Sequence, residues 1–169
     1  KYSVMYMKTD YLNINEMTRT GEKIKKVENI ILHSIGNMYS TLEICKKEMD
    51  NLMNQSNVYF SLHYVIDKEG NILNCIPEEE ISLSCRKIDT NYYAVSIGCI
   101  PCDESGKFSK KTIDSLVMLA SNLCIKYNLE AKNVLRHYDI TAKRCPLYYV
   151  DNSVMFEEIR KRIKIDISK

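Results

Sequence analysis

Apolar and polar residues follow two different periods along this chain, and the two periods divide it into short strands and longer helices. Runs with a strand-like pattern occur at Val27–His33, Leu62–Asp67, Ile72–Ile76, Tyr93–Ile100 and Val134–His137. Apolar side chains at steps of three and four residues predict helices from Ser40 to about Asn54, from Ser109 to Asn128 and over Val154–Ile165. Strands interleaved with helices in this order predict an α/β fold whose sheet is covered on both faces.

Turn and capping residues mark the boundaries of several elements. Ser40 is followed three residues later by Glu43, which is the pattern of a capping box at the start of a helix. The segment Lys68–Asn71 contains a glycine and separates two strand-like runs, so we expect a hairpin there. The three consecutive glutamates of Glu78–Glu80 predict a solvated loop.

Length and composition indicate one globular domain. A chain of 169 residues has a sizeable core, and 45% apolar with 27% charged side chains is ordinary for a globular protein. We expect residues 1–26 to form a polar lead-in arm and the core to span about 27–165.

Charge and hydropathy exclude two classes of partner. The net charge of +2 is too small to indicate a nucleic-acid partner, and no window reaches the roughly 18 apolar residues of a membrane span. We therefore expect neither a nucleic-acid partner nor a membrane span. We also expect a monomer. The chain begins at Lys1 with no apolar leader, so we expect any targeting segment to have been removed.

Seven cysteines, an odd number, are spread along the chain. Cys75, Cys99 and Cys124 fall within apolar runs, where a free thiol packs as a small hydrophobic side chain. We therefore expect mostly reduced, buried cysteines. Cys99 and Cys102 form a CxxC pair, but the pair lacks the helix N-terminus that lowers a thiol pKa in redox motifs.

Three residues at or near the ends of apolar runs carry the clearest chemistry. His137 follows Val134–Arg136, and Cys145 lies eight positions later in a loop closed by a proline. His33 also ends an apolar run, as expected when a buried strand delivers a side chain to a site built from loops. Two imidazoles and a thiolate can bind zinc and leave one position open. Packed core residues also fit this pattern, so the spacing alone leaves both possibilities open.

Three segments together resemble a known family. They are Ile31–Asn37, Ser61–Asp67 and Arg136–Asp139 continuing to Cys145-Pro146. In order and spacing they resemble the zinc N-acetylmuramoyl-L-alanine amidases, the family of autolysins, phage endolysins and peptidoglycan-recognition proteins. The similarity runs from about residue 17 to residue 150, and it implies a mixed central β-sheet flanked by helices.

The resemblance also implies an activity and a set of site residues. Members of the family hydrolyse the amide between N-acetylmuramic acid and L-alanine in bacterial peptidoglycan, as secreted or wall-associated enzymes or as phage endolysins. Their zinc ligands match His33, His137 and Cys145, and a lysine that polarises the scissile carbonyl matches Lys143. We expect Asn37, in the loop after the first histidine, to contact the substrate.

The chain departs from the family pattern at the positions of proton transfer. A strand glutamate that serves many relatives as acid or base aligns with Gly98, and a tyrosine used by others aligns with Leu62. Tyr64 lies two residues after Leu62, hence on the same face of a regular strand, and is our candidate substitute. We do not expect His63 to bind the metal; it should either line the substrate cleft or hold neighbouring loops by hydrogen bonds.

Two other functions stay open on the sequence alone. The missing glutamate is compatible with a peptidoglycan-binding or sensing module of the same fold that has weak or no turnover. Cys145 and His137 are also compatible with the nucleophile pair of a cysteine hydrolase, although such a pair does not require His33.

Overall fold

Six strands of this chain form one mixed sheet in the computed structural model, which describes residues 6–55 and 57–169. They are β1 (Met7–Thr9), β2 (Asn29–Ser34), β3 (Tyr64–Ile66), β4 (Ile72–Asn74), β5 (Ala94–Cys99) and β6 (Val134–Arg136). Across the sheet their order is β1-β4-β3-β5-β2-β6. β3 and β4 pair antiparallel through the predicted hairpin, and the other neighbouring pairs of these six are parallel. The predicted mixed sheet in an α/β fold is therefore confirmed.

Six α-helices in the described ranges connect or cover the strands. They are α1 (Leu42–Leu52), α2 (Ile88–Asn91), α3 (Lys110–Lys126), α4 (His137–Thr141), α5 (Leu147–Asp151) and α6 (Ser153–Ile167). The three longest match the predicted helices, and Ser109 caps α3 as predicted. The cap predicted for α1 is wrong by one residue, because Thr41 rather than Ser40 accepts the hydrogen bond from the backbone N–H of Ile44. None of these helices is both long and apolar enough to cross a membrane.

Each face of the sheet packs against its own apolar cluster. The cluster shared with α3 and α6 includes Leu32, Tyr64, Ile97, Leu123 and Ile163. The cluster shared with α1 includes Met49, Leu62, Val65, Cys75 and Ile100. The central parallel strands β2 and β5 are covered on both faces, which explains why their sequences are nearly continuously apolar.

The lead-in arm is fastened to the domain by an ion pair that the sequence did not reveal. Arg19 donates from Nε and Nη2 to the carboxylate of Glu80 at 2.8 and 2.9 Å, and Glu80 is only 6% exposed. The predicted solvated loop is therefore wrong for Glu80. It is also wrong for Glu78, whose carboxylate accepts three hydrogen bonds. The arm also contributes β1, an unpredicted edge strand, and its first five residues lie outside the described ranges.

The β3–β4 hairpin sits directly on the start of α3. The hydroxyl of Thr112 donates to the carbonyl of Asp67 at 2.7 Å, and the hydroxyl of Ser115 donates to the carbonyl of Gly70. Gly70 has a φ of +82°, a left-handed conformation that glycine adopts without steric cost. A methyl group on Gly70 would lie 2.7 Å from Ser115 Oγ, so the turn has neither the backbone angle nor the space for a side chain.

We predict that Gly70→Ala destabilises the domain more than Gly21→Ala does. Both glycines have a φ of +82°, but the nearest atom to a methyl group on Gly21 is Ile14 Cδ1 at 3.5 Å. The left-handed angle should cost about 1–2 kcal/mol in each variant, and overlap with α3 should add about 1–3 kcal/mol only in Gly70→Ala. Urea unfolding of the two variants measures the difference. Equal losses would show that the hairpin does not dock against α3 as described.

Candidate metal centre

Two imidazoles meet at the carboxyl ends of the neighbouring parallel strands β2 and β6. Leu32 is paired with Arg136, so the next residues, His33 near the end of β2 and His137 directly after β6, lie side by side. The sequence placed His137 at a strand end, whereas it is the first residue of α4. The two ring centroids lie 4.6 Å apart and the ring planes are tilted by 55°. The parallel order of the strands thus accounts for the convergence of two residues that are far apart in sequence.

A tight reversal of the chain brings Cys145 back to the two histidines. Ala142, which has a φ of +63°, caps the C-terminus of α4, and the backbone N–H of Tyr138 donates to the carbonyl of Cys145 at 3.0 Å. The backbone N–H of Ser34 donates to Cys145 Sγ at 3.3 Å, which ties the thiol to the end of β2. As a result, ligand atoms of His33, His137 and Cys145 all lie within 4.8 Å of one another.

The side chains of these three residues could bind a metal ion together. Within the described ranges, no other group of three or more histidine, cysteine or carboxylate side chains is arranged in this way. His33 is 2% exposed and His137 is 6% exposed. Nε2 of His33 and Nδ1 of His137 are buried without a hydrogen-bond partner, an arrangement that is unfavourable unless a ligand completes it. Imidazole nitrogen and thiolate sulfur are together the donors that zinc and similar transition metals prefer.

The electrostatic environment keeps both imidazoles neutral, which is the form that binds metals. Burial, His137 and Lys143 hold the pKa of His33 well below its usual value. Burial and then Lys143 lower the pKa of His137. For Cys145, burial raises the thiol pKa, while the N–H of Ser34 and the charge of Lys143 act in the opposite direction. A metal ion that binds here must therefore displace the thiol proton, so binding should weaken as the pH falls.

The comparison with known proteins identifies the family of this chain. Residues 23–147 match the model of the N-acetylmuramoyl-L-alanine amidase family. The chain belongs to this family. It is 28% identical over 176 aligned residues to the N-acetylmuramoyl-L-alanine amidase BlyA of Bacillus subtilis (strain 168), covering 94% of this chain and 47% of BlyA. It is 25% identical to the amidase CwlL of Bacillus licheniformis, covering 91% of this chain and 45% of CwlL. The chain thus spans about half the length of these relatives.

Solved structures share the fold at low sequence identity. The catalytic domain of XlyA superimposes with a TM-score of 0.76 at 16% identity, covering 94% of this chain and 99% of that domain. The structure of PlyL gives a TM-score of 0.76 at 18% identity, covering 96% of this chain and 98% of that chain. These likenesses extend over almost the whole domain and support the α/β architecture described above.

Gly98 and Leu62, the two positions at which the family resemblance implies an acid or base, lie against each other. Gly98 on β5 is paired with His33 and therefore shares its face of the sheet. A methyl group built on Gly98 would lie 2.4 Å from Leu62 Cδ1 and 3.2 Å from Ile35 Cδ1. Leu62 thus occupies the space that a side chain at position 98 would need. The glycine at position 98 and the leucine at position 62 therefore pack directly against each other. The side chains beside His33 on this face of the sheet are apolar.

The position of Tyr64 contradicts the prediction that it replaces the missing acid or base. Tyr64 is paired with Ile97, which is paired with Leu32, so these side chains lie on the face opposite His33. Its hydroxyl donates to Glu78, and the side chain is 5% exposed. The prediction assumed a regular strand from Leu62 onwards. Regular pairing begins only at Tyr64, so Leu62 and Tyr64 do not share a face.

His63 is a scaffold residue rather than part of a cleft. Its side chain has no exposed surface, and both ring nitrogens have protein partners. Nδ1 accepts from the backbone N–H of Ser96 at 3.0 Å, and Nε2 lies 2.7 Å from the carbonyl of Glu80, which fixes the proton on Nε2. Of the two predicted roles, these contacts contradict cleft lining and favour the bridging of neighbouring loops.

An open groove of about 380 Å³ adjoins the cluster at the same end of the sheet. Residues after β2 and after β5 line it together with Leu147, and Ser34 connects the groove to Cys145. Asn37 lies in this lining, where its Oδ1 accepts from the backbone N–H of Tyr39 at 2.9 Å. The expected contact between Asn37 and substrate stays a prediction.

The cysteines of this chain, all within the described ranges, form no disulfide bonds in the structure. All seven are free thiols, and Cys99 is fully buried with a pKa raised by burial. Cys102 is half-buried in the loop after β5.

No hydrogen bond between Cys145 and His137 occurs among the described residues, so the geometry does not favour the nucleophile pair of a cysteine hydrolase.

We predict that His63 makes the domain less stable in acid. Burial lowers the pKa of His63 to about 4, whereas an unfolded histidine has a pKa of about 6.5. Below about pH 6.5 the unfolded chain therefore takes up a proton that the folded chain does not. The resulting loss reaches about 2–3 kcal/mol near pH 4.5.

His63→Gln offers the matched comparison, since an amide retains a donor and an acceptor but does not titrate. Urea unfolding of both metal-free proteins at pH 7 and pH 4.5 should show a smaller acid loss for His63→Gln. His33 and His137 titrate in both proteins and cancel. Equal losses would mean that His63 is not buried as a neutral ring.

Proposed function

We propose that this domain is a zinc-dependent hydrolase of the amide bond between N-acetylmuramic acid and L-alanine in bacterial peptidoglycan. One observation carries the proposal: His33, His137 and Cys145 converge within 4.8 Å, with two buried imidazole nitrogens left without a partner. Membership of the amidase family supplies the substrate class. The relatives BlyA and CwlL are named as amidases of this specificity, and this chain aligns over more than nine-tenths of its length with each.

In this proposal the three residues hold the zinc ion, and the chain around them prepares the site. When bound, zinc supplies the Lewis acidity that an amide bond needs for attack by water near neutral pH. Burial keeps His33 and His137 neutral for coordination, and the N–H of Ser34 orients the thiolate of Cys145. The buried position also excludes bulk solvent on the sheet side of the site.

Lys143 is proposed to stabilise the negative charge that develops on the scissile carbonyl oxygen. It lies two residues before Cys145 in the returning loop, and its side chain is exposed. Its positive charge contributes to the lowered pKa of His33 and of His137, and it opposes the rise that burial causes in the pKa of Cys145. A positive charge at this place is most useful when the carbonyl oxygen becomes anionic, that is, in the transition state.

The proposed substrate determines the proposed location. Peptidoglycan lies outside the bacterial membrane, so the domain would act as a secreted or wall-associated autolysin or as a released phage endolysin. We propose that it acts as a monomer, and that Asn37 and the groove beside Cys145 receive part of the wall polymer.

A second candidate is a peptidoglycan-binding module with weak or no turnover. The apolar contact of Gly98 with Leu62 favours it, because it leaves no acid or base on the strand beside His33. Proton transfer by a positioned group typically contributes about 10²–10⁴-fold to rate, so its loss weakens an enzyme of this kind without removing the metal chemistry. Turnover on purified wall therefore decides between the two candidates.

We predict that metal binding and turnover fail together when a ligand is removed. The wild-type domain should bind one zinc ion and release new L-alanine amino termini from purified peptidoglycan. A chelator should abolish this release, and added zinc should restore it. His33→Ala should lose stoichiometric zinc and fall to background, because two ligands do not make a tight zinc site. His63→Gln is the matched control, and it should keep the metal.

The outcomes separate the candidates. Zinc binding with tight attachment to the wall but no new amino termini would identify the binding module. Turnover that persists without metal, or a His33→Ala variant that keeps stoichiometric zinc, would refute the proposed site.

We predict that Lys143→Ala lowers kcat and kcat/KM together by about 10²–10³-fold while zinc content stays at one per chain. Arg144→Ala is the matched control, since Arg144 is the adjacent exposed cation in the same loop and pairs with Asp151 instead. Its activity should stay within about threefold of wild type, as expected for an exposed pair. Similar small losses in both variants would show that Lys143 is a surface residue without a role in the reaction.

A further inference from the structure

The strand beside the metal centre carries a glycine that is enclosed by two apolar side chains. Gly98 lies between His33 of β2 and Val65 of β3 in the register of the sheet. Leu62 is fully buried in the cluster shared with α1, and Ile35 packs against the same cluster. Leu62 Cδ1 lies 2.4 Å and Ile35 Cδ1 lies 3.2 Å from the place where a side chain at position 98 would begin.

This contact is connected to two of the three ligands through short segments of backbone. Ile35 follows Ser34, whose N–H donates to Cys145 Sγ at 3.3 Å, and its own N–H donates to the carbonyl of Cys99 at 2.8 Å. His33 is paired directly with Gly98. A displacement of Ile35 therefore acts on the Ser34–Cys145 hydrogen bond and on the end of the strand that presents His33.

Leu62 has little freedom to avoid such a displacement. It has no exposed surface, and its neighbours in the cluster include Val65, Cys75 and Ile100, which are also fully buried. Protein interiors are close-packed, so an added methyl group in such a place moves its neighbours. A side chain on Gly98 would have to displace Leu62 within this packed interior or displace Ile35, the residue that follows Ser34.

We propose that Gly98 is a positioning residue of the metal centre. Because it has no side chain, Leu62 and Ile35 close over β5, and this packing fixes the backbone that places His33 and orients the thiolate of Cys145. The inference rests on the proposed zinc site and adds a requirement to it. Position 98 and position 62 form a matched pair in which the size of one side chain limits the other.

The test is the zinc affinity of purified folded variants, measured by competition with a chromophoric chelator at fixed pH. Gly98→Ala should bind zinc at least about tenfold more weakly than wild type, the usual effect of disturbing residues that support metal ligands. Gly36→Ala is the matched control. Gly36 directly follows Ile35 in the chain, and a methyl group on it meets no atom within 4 Å. Its affinity should stay within about twofold of wild type, since nothing near the ligands moves.

Leu62→Val supplies the compensating change. Valine has no Cδ1 atom, so Leu62→Val combined with Gly98→Ala transfers roughly one methyl group across the contact and conserves volume. Zinc affinity of the double variant should return to within about threefold of Leu62→Val alone, because volume-conserving exchanges are the best tolerated. If Gly98→Ala does not fold, the same comparison between Leu62→Val and the double variant still tests the pairing.

Unchanged affinity in Gly98→Ala would overturn this inference and leave the proposed zinc site intact. A tenfold loss that appears equally in the Leu62→Val background would also overturn it, because the effect would not pass through Leu62. A wild-type domain without zinc affinity would instead overturn the proposed function, and this inference with it.

Discussion

The architecture of this domain depends on the parallel order of β6, β2 and β5 at one side of the sheet. Parallel neighbours end at the same edge, so the end of β2 and the residue that follows β6 meet without any long insertion. His33 and His137 are brought together in this way, and a short helix with a tight reversal returns Cys145 to them. The arrangement buries imidazole nitrogens without hydrogen-bond partners, which is costly for the empty protein and favourable once a ligand is bound.

Buried polar contacts hold the loops around the sheet in place. His63 bridges β5 and the segment before Ile81, and Arg19 binds the same segment through the carboxylate of Glu80. Both contacts are largely shielded from water, so each polar group needs its partner to be tolerated there. The lead-in arm is thereby fastened to the same segment that His63 binds.

Sequence patterns predicted the parts of this structure that depend on local or repeated signals. The central strands, the three long helices and the position of His33 near the end of β2 follow from apolar periodicity, and the grouping of His33, His137 and Cys145 follows from the family resemblance. The failures have physical causes that a pattern does not contain. Ser40 and Thr41 are both good caps, and only the backbone angles choose between them. Tyr64 was placed on the wrong face because the strand begins later than its apolar run. Glu80 was expected in solvent because its partner Arg19 is far away in sequence.

The central claim is that one zinc ion is shared by two imidazoles and one thiolate of this chain. X-ray absorption spectroscopy of the zinc-loaded domain tests it most directly, because it reports the atoms bound to the metal. The account predicts one sulfur at about 2.3 Å, two imidazole nitrogens at about 2.0 Å and one further light atom. The sulfur should disappear in Cys145→Asp while the imidazole signal remains. A zinc ion with no sulfur ligand in the wild-type domain, or with more than one, would contradict the account.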